Sequence, residues 1–358
     1  MVAADRSVII SDIPNCAHPM SDPHVRRGIA STRMLCGLAD EYAVDRSICL
    51  RGTAIAPALL DDPHAEIEAA QEFRVIANLI DALAARGISD VELALKAGAR
   101  YHLTTMGIWG FAMASSATLG SAVQVGLRYL DLTYSVNRIW LDLGTGTASM
   151  IIDEQSTPPA LAQFVVLRDM AAIMTLNREL LAAPVQPCGV QLRFPEPPGL
   201  IQQLQSAFGC VPVFGGPRNH VEFDLQLFAE PLPQANDLMR QSCEDQCRAL
   251  LARRRGRAGI AGKVRDRLLK NPGQMPDMDA IAGELNMTSR HLRRLLSAEG
   301  TSYRALADEV RQALAEELLS TARMKMDEVA ERLGYAERAS FTHAFKRWKG
   351  ISPSAFRG

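Results

Sequence analysis

Apolar residues at three- and four-residue intervals mark helices over most of this chain, with a stretch of strand-like patterning near its middle. From Ser31, Met34, Leu35, Leu38 and Tyr42 share one helical face. Pro63 suits the first turn of a second helix, which presents Ile67, Phe73, Ile76, Ile80 and Leu83 before Gly87 ends it. Shorter helices are expected over Asp90–Gly98, with Val91 and Leu95, and over Thr118–Leu130. The pattern then changes. Val136, Ile139, Trp140 and Leu141 predict a strand over Tyr134–Leu143, and Gly144 to Thr147 turns it into a second apolar run at Met150 to Ile152, most simply a hairpin. A long helix follows over Pro158–Leu181. Strands are expected at Val190–Phe194, Val211–Phe214 and His220–Phe223, punctuated by Pro195, Pro197, Gly215 and Pro217. A helix over Asn236–Leu251 leads to the basic run Arg253–Arg257, an expected linker.

Beyond that run, one pattern occurs twice. Asp279, Ile281, Ala282 and Leu285 recur as Asp327, Val329, Ala330 and Leu333. Leu292 and Leu296 recur as Phe341 and Phe345, and Gly300 and Ser302 as Gly350 and Ser352. Each copy predicts helix, tight turn, helix. Ala282 and Ala330 let two helices cross closely, and Asn286 and Gly334 tolerate the positive φ such a turn needs. Thr288 is placed to cap the second helix of the first copy. Between the copies, Tyr303, Leu306, Val310, Leu314 and Leu318 predict one stiff amphipathic connector, with Arg304, Asp308, Glu309 and Arg311 on its wetter side. Two helix-turn-helix units held this way would enter major grooves about one helical turn of DNA apart, roughly 34 Å.

The apolar stripe also assigns the outward positions. On the first reading helix these are Ser289, Arg290, Arg293 and Arg294; on the second, Arg338, Thr342, His343, Lys346 and Arg347. Arg bonds bidentately to guanine O6 and N7, whereas late-helix Lys346 and Arg347 suit phosphates, which position without specifying.

Charge agrees with this division. The 358 residues sum to -1, yet residues 253–358 hold 21 Lys and Arg against 13 Asp and Glu, and the remainder is acidic. A basic module on an acidic one fits a DNA-binding end and another end with a different task. Seven cysteines, from Cys16 to Cys247, have irregular spacings that suggest no disulfide framework. Cys243 and Cys247 share a helix face but lack further metal ligands nearby. The apolar run Met106 to Ala117 is too short for a bilayer, and Asp5 and Asp12 argue against a signal peptide. No membrane association, cofactor or metal is expected, and the cytoplasm is the expected location. Gly144 and Gly146 lack the third glycine and the helix of a phosphate loop. His64, His102 and His220 are isolated, and Asp61, Asp62, Asp153 and Glu154 fall in expected turns, so an enzyme is not expected.

The segment Ala330–Arg357 closely resembles the signature of the AraC/XylS family of bacterial transcription regulators. Leu333, Gly334, Tyr335, Phe341, Phe345, Lys346, Gly350, Ser352, Pro353, Phe356 and Arg357 fall on it. The resemblance covers residues 260–358 and implies seven helices with two helix-turn-helix units. It implies base reading by Arg290, Arg293 and Arg294 on the first helix and Arg338, Thr342 and His343 on the second, with Ser289, Lys346 and Arg347 on phosphates. His343 stands where Arg is common, and Glu337 where a capping Ser or Asp is usual. The implied grip is asymmetric, with most base reading in the first copy. Gly107 to Leu119, Val211 to Asp224 and Pro231 to Pro233 resemble the arabinose-binding-like N-terminal domain of some of these regulators.

The expected fold is therefore an α+β N-terminal domain followed by an all-α C-terminal domain with two helix-turn-helix units joined by a long helix. The expected divisions are a loose leader over 1–22, a sensing and dimerising domain over 23–235, a connecting helix and basic linker over 236–258, and a DNA-binding domain over 259–358. The expected partners are double-stranded promoter DNA, RNA polymerase, a second copy and a small-molecule effector. Trp109, Phe111, Met113 and Trp140 are candidates to line the effector pocket, with ordinary core as their alternative role. A constitutive DNA-binding dimer without effector is the other regulatory expectation.

Overall fold

The chain divides into two units, Met1–Ala252 and Arg253–Gly358. The computed structural model describes residues 26–357 apart from 182, 258, 271, 322 and 323; the leader expected over 1–22 lies outside the described residues.

In the first unit, β1 (Arg27–Gly28) precedes α1 (Ala30–Glu41) and α2 (Arg46–Cys49), and β2 (Glu66–Ile67) pairs antiparallel with β1. Leu35, Cys36, Leu38 and Ala39 form the buried face of α1. The second long helix starts later than the pattern predicts. Pro63 sits in a turn and Ile67 in β2, and α3 (Ala69–Ala84) begins at a capping box in which Gln71 Oε1 accepts the Glu68 amide at 2.9 Å. Then α4 (Asp90–Gly98) is capped by Ser89, whose Oγ accepts the Glu92 amide at 3.1 Å. α5 (Ile108–Ala114) and α6 (Leu119–Arg128) follow, the latter capped by Thr118.

The hairpin forms as expected from β3 (Arg138–Leu143) and β4 (Thr147–Asp153), in register Leu143 to Ala148. After α7 (Ala162–Leu180), β5 (Gly189–Gln191), α8 (Ile201–Phe208) and β6 (Asn219–Asp224) complete an antiparallel sheet of order β3-β4-β6-β5. The strand expected at Val211–Phe214 is reduced to a single parallel bridge from Val213 to Gln191. Pro212 has no amide to donate and two glycines follow at once. Helix α9 (Asp237–Arg257) runs on through the basic run expected as a linker; its arginines are good helix formers, and the one glycine, Gly256, stands in the last turn.

Helix α7 is the axis of this unit. The segment Pro159–Leu180 is long and apolar enough to cross a membrane, contrary to expectation, but most of it is buried inside the unit. It packs on α4 where a Cβ on Gly98 would stand 2.5 Å from the Arg168 carbonyl oxygen, so only glycine fits. Midway along it, Arg168 is 1% exposed. Its guanidinium donates to Glu72 Oε1 at 2.9 Å and Asp169 Oδ1 at 3.0 Å, and lies 4.6 Å from the Tyr134 ring centroid. Ser31 donates to Glu72 at 2.8 Å, and Asp169 Oδ2 accepts from Ser135 and Asn137 at 2.7 and 3.0 Å. Burial pushes the Tyr101 and Tyr134 phenols well above their ordinary range.

The second unit is all helical: α10 (Gly259–Lys270), α11 (Met278–Glu284), α12 (Ser289–Ala298), α13 (Tyr303–Thr321), α14 (Met326–Arg332), α15 (Arg338–Lys349) and α16 (Pro353–Arg357). It holds two small cores. Val264, Leu268, Ile281, Leu292, Leu296, Leu306 and Val310 form one. Leu319, Val329, Leu333, Phe341 and Phe345 form the other, and Leu314 of the connector α13 touches both.

Candidate nucleic-acid interface

Both turns are built as the repeat predicts. Asn286 has φ +54° and Gly334 φ +79°. In each copy the amide after that residue closes on the crossing alanine: Met287 to the Ala282 carbonyl and Tyr335 to the Ala330 carbonyl, both at 2.9 Å. These are helix-terminating bonds of the left-handed type. Thr288 caps α12, accepting the His291 amide at 3.2 Å. Glu337 makes no side-chain cap on α15. An aromatic cluster seats α15 instead, with the Phe345 ring 5.8 Å from Phe341 and 5.4 Å from Phe356.

With Leu292 and Leu296 buried, Arg290, Arg293 and Arg294 stand exposed together on α12. Arg294 Nη2 lies 3.2 Å from His291 Nδ1. Ser289 is half-buried and its hydroxyl donates to the Asp279 carboxylate, so it does not stand free for a phosphate. On α15, Arg338, His343, Lys346 and Arg347 are exposed. Thr342 is half-buried, and its Oγ1 donates to the Arg338 carbonyl at 2.9 Å, which leaves its methyl group and one lone-pair side for a base. Arg347 is paired with Asp308 of the connector at 3.0 Å. Asp279 and Asp308 were not singled out by sequence as partners of reading-helix side chains. The Asp308 contact spans 39 residues, and no local pattern announces it.

Of the four effector-pocket candidates only Trp109 and Met113 meet, both packing over Gly126. Trp109 and Met113 are core residues, and Trp109 Nε1 donates to the Gly126 carbonyl at 3.1 Å. Trp140 lies on β3 beside Arg138, whose guanidinium is 5.1 Å from its ring. Phe111 is 53% exposed and lines a cleft of about 440 Å³ with His102, Leu103, Ala114, Glu179 and Gln234. Glu179 is held there by His102 Nδ1 at 2.5 Å and by the Leu103 amide at 2.8 Å. Cys243 and Cys247 are buried on α9; elsewhere among the described residues, a hydrogen bond with Cys49 pushes the Cys36 thiol up.

Residues 44–232 match the model of the arabinose-binding domain of AraC transcription regulators, and residues 281–358 match a helix-turn-helix domain. The chain is 36% identical over 336 residues to an HTH-type transcriptional regulator of Mycobacterium tuberculosis, covering 93% of this chain and 96% of the relative. It is 31% identical over 329 residues to the ornithine utilization regulator of Pseudomonas aeruginosa, covering 92% and 95%. Among solved structures, the transcriptional regulator CdpR from Pseudomonas aeruginosa is 25% identical with a TM-score of 0.45, covering 92% of this chain and 98% of that one.

Proposed function

The chain belongs to the AraC family of transcription regulators, and we propose that it is an activator that reads promoter DNA chiefly through its first helix-turn-helix copy. The contrast between the two reading helices carries this proposal. α12 presents Arg290, Arg293 and Arg294, none of them in an ion pair with a carboxylate among the described residues. α15 presents Arg338 and His343 exposed, with the Thr342 hydroxyl turned to its own backbone. The first copy therefore supplies base discrimination, and the second supplies register and phosphate contact. Activation follows from placing the C-terminal unit beside RNA polymerase in the cytoplasm.

The test is selection of bound duplexes from a random pool by the full chain, followed by titration of the selected site. Alanine at Arg290, Arg293 or Arg294 should each remove about 1–3 kcal/mol of discrimination, the worth of a bidentate base contact. Alanine at Arg338 or His343 should remove less. A larger loss from the second pair than from the first three would reverse the assignment.

The N-terminal unit serves as the sensor and as the contact for a second copy. The cleft bearing Phe111 and the Glu179 carboxylate is the effector site this reading selects, suited to an amine-bearing metabolite. The likeness to a regulator of ornithine utilization supports that class. A ligand in excess of its Kd raises the folded state's stability, so thermal shifts across amine-bearing metabolites test it. No shift with any of them would favour a constitutive DNA-binding dimer.

A further inference from the structure

A second cleft, of about 390 Å³, lies between the connector α13 and the reading helix α15, lined by Arg304, Asp308, Arg311, Ser340, His343 and Arg347. We infer that this cleft seats a phosphate of the bound DNA backbone, with Arg304 and Arg347 as its cations and Asp308 as a built-in competitor that lowers affinity. The inference rests on the reading of Arg347 as a phosphate contact.

Three observations carry it. The wall is cationic, three arginines against one carboxylate, and Ser340 adds a hydroxyl donor. Arg311 is held in the wall, its guanidinium 5.7 Å from the Tyr335 ring, while exposed Arg304 makes no ion pair among the described residues. Position favours DNA over a protein partner. At about 100° per residue, His343 falls between Lys346 and Arg347 around α15, so the cleft and the reading face share His343. A duplex docked on that face brings its backbone past the cleft mouth. Arg347 meets Asp308 at 3.0 Å with both side chains partly open to solvent, 55% and 28% exposed. A phosphate arriving there must take Arg347 from Asp308 and sit near the carboxylate it displaces.

The experiment titrates the full chain with a selected duplex of about three helical turns, across a range of salt. Asp308→Asn keeps the side-chain shape and removes the charge. It should tighten binding about two- to fivefold, the range of an exposed ion pair. It should also steepen the log–log salt dependence by up to about 0.9, the value of one further phosphate contact. Arg304→Ala should weaken binding to selected and mixed-sequence duplexes alike and flatten the salt slope. Unchanged or weaker binding by Asp308→Asn, in a series where Arg347→Ala weakens binding, removes the competitor and leaves the Arg347 reading intact. No effect of Arg347→Ala on affinity or slope removes the phosphate reading and the inference together. Full DNA affinity but lost transcription by RNA polymerase in Arg304→Ala would assign the cleft to a protein partner and overturn the proposal. Melting of each variant by circular dichroism verifies the fold.

Discussion

Exchanging the turn residues of the two copies separates two demands that a tight turn makes. Gly334 has φ +79°, and a Cβ built on it would stand 2.8 Å from the Gly273 carbonyl oxygen. Asn286 holds the same place at φ +54° and already carries a Cβ. Gly334→Ala therefore meets two costs. The left-handed backbone costs about 1–2 kcal/mol for an L-residue. Moving a backbone oxygen out of a 2.8 Å contact adds an overpacking cost of about 1–3 kcal/mol. The expected loss is about 2–5 kcal/mol. Gly334→Asn isolates the second cost, because Asn enters the left-handed region readily, and should lose about 1–3 kcal/mol. Asn286→Gly should stay within about 1 kcal/mol of neutral, since relief of strain offsets the added freedom of the unfolded chain. Hydrogen exchange on the full chain measures this locally. The amides of Leu333, Tyr335, Phe341 and Phe345 report the second copy, and those of Leu292 and Leu296 serve as the reference. Equal, near-neutral effects for Gly334→Asn and Asn286→Gly would show that the approach to Gly273 contributes nothing.

Arg168→Met leaves Glu72 and Asp169 buried without their shared cation, a change expected to cost about 3–5 kcal/mol; a urea midpoint close to wild type would show that the carboxylates find other partners. His220, half-buried on β6, has its imidazole pKa lowered by burial first and by Arg218 second. A depressed folded-state pKa means the unfolded chain binds the proton more readily, so this stability is complete above the ordinary imidazole range and is lost as pH falls through it. The N-terminal unit should weaken from about pH 7.5 to 5, and His220→Gln should weaken less; parallel pH dependences in urea unfolding would refute that role for His220.

How far the fold could be read depended on how many residues voted for each element. Asp90–Gly98 forms as predicted, because its cap, periodicity and terminal glycine agree. The two-residue strands β1 and β2 have no period to detect, and their pairing shifts the start of α3 past Pro63. Helix α8 was hidden between proline- and glycine-rich segments, and ends at Gly209 in the left-handed conformation. At the interface, burial of Leu292, Leu296, Phe341 and Phe345 was legible, and exposure of Arg290, Arg293, Arg294, Arg338, His343, Lys346 and Arg347 followed from it. The occupants of the polar atoms were not legible. Ser289, Thr342 and Arg347 each bond to a group whose position depends on helix geometry or on a distant segment.

The two groups held by carboxylates have a consequence for selectivity. Phosphate contacts raise affinity for every sequence alike, whereas base contacts raise it only for the right one. Ser289 and Arg347, the two phosphate candidates with carboxylate partners, are held by Asp279 and Asp308. Arg290, Arg293 and Arg338, assigned to bases, carry no such partner among the described residues. On the proposed assignment, tethering the first set would lower the sequence-independent share of binding and leave Arg290, Arg293 and Arg338 free to discriminate. A regulator that must leave the many competing sites of a genome gains more from that ratio than from affinity itself. Removing either carboxylate should therefore tighten binding while narrowing the gap between selected and unselected DNA.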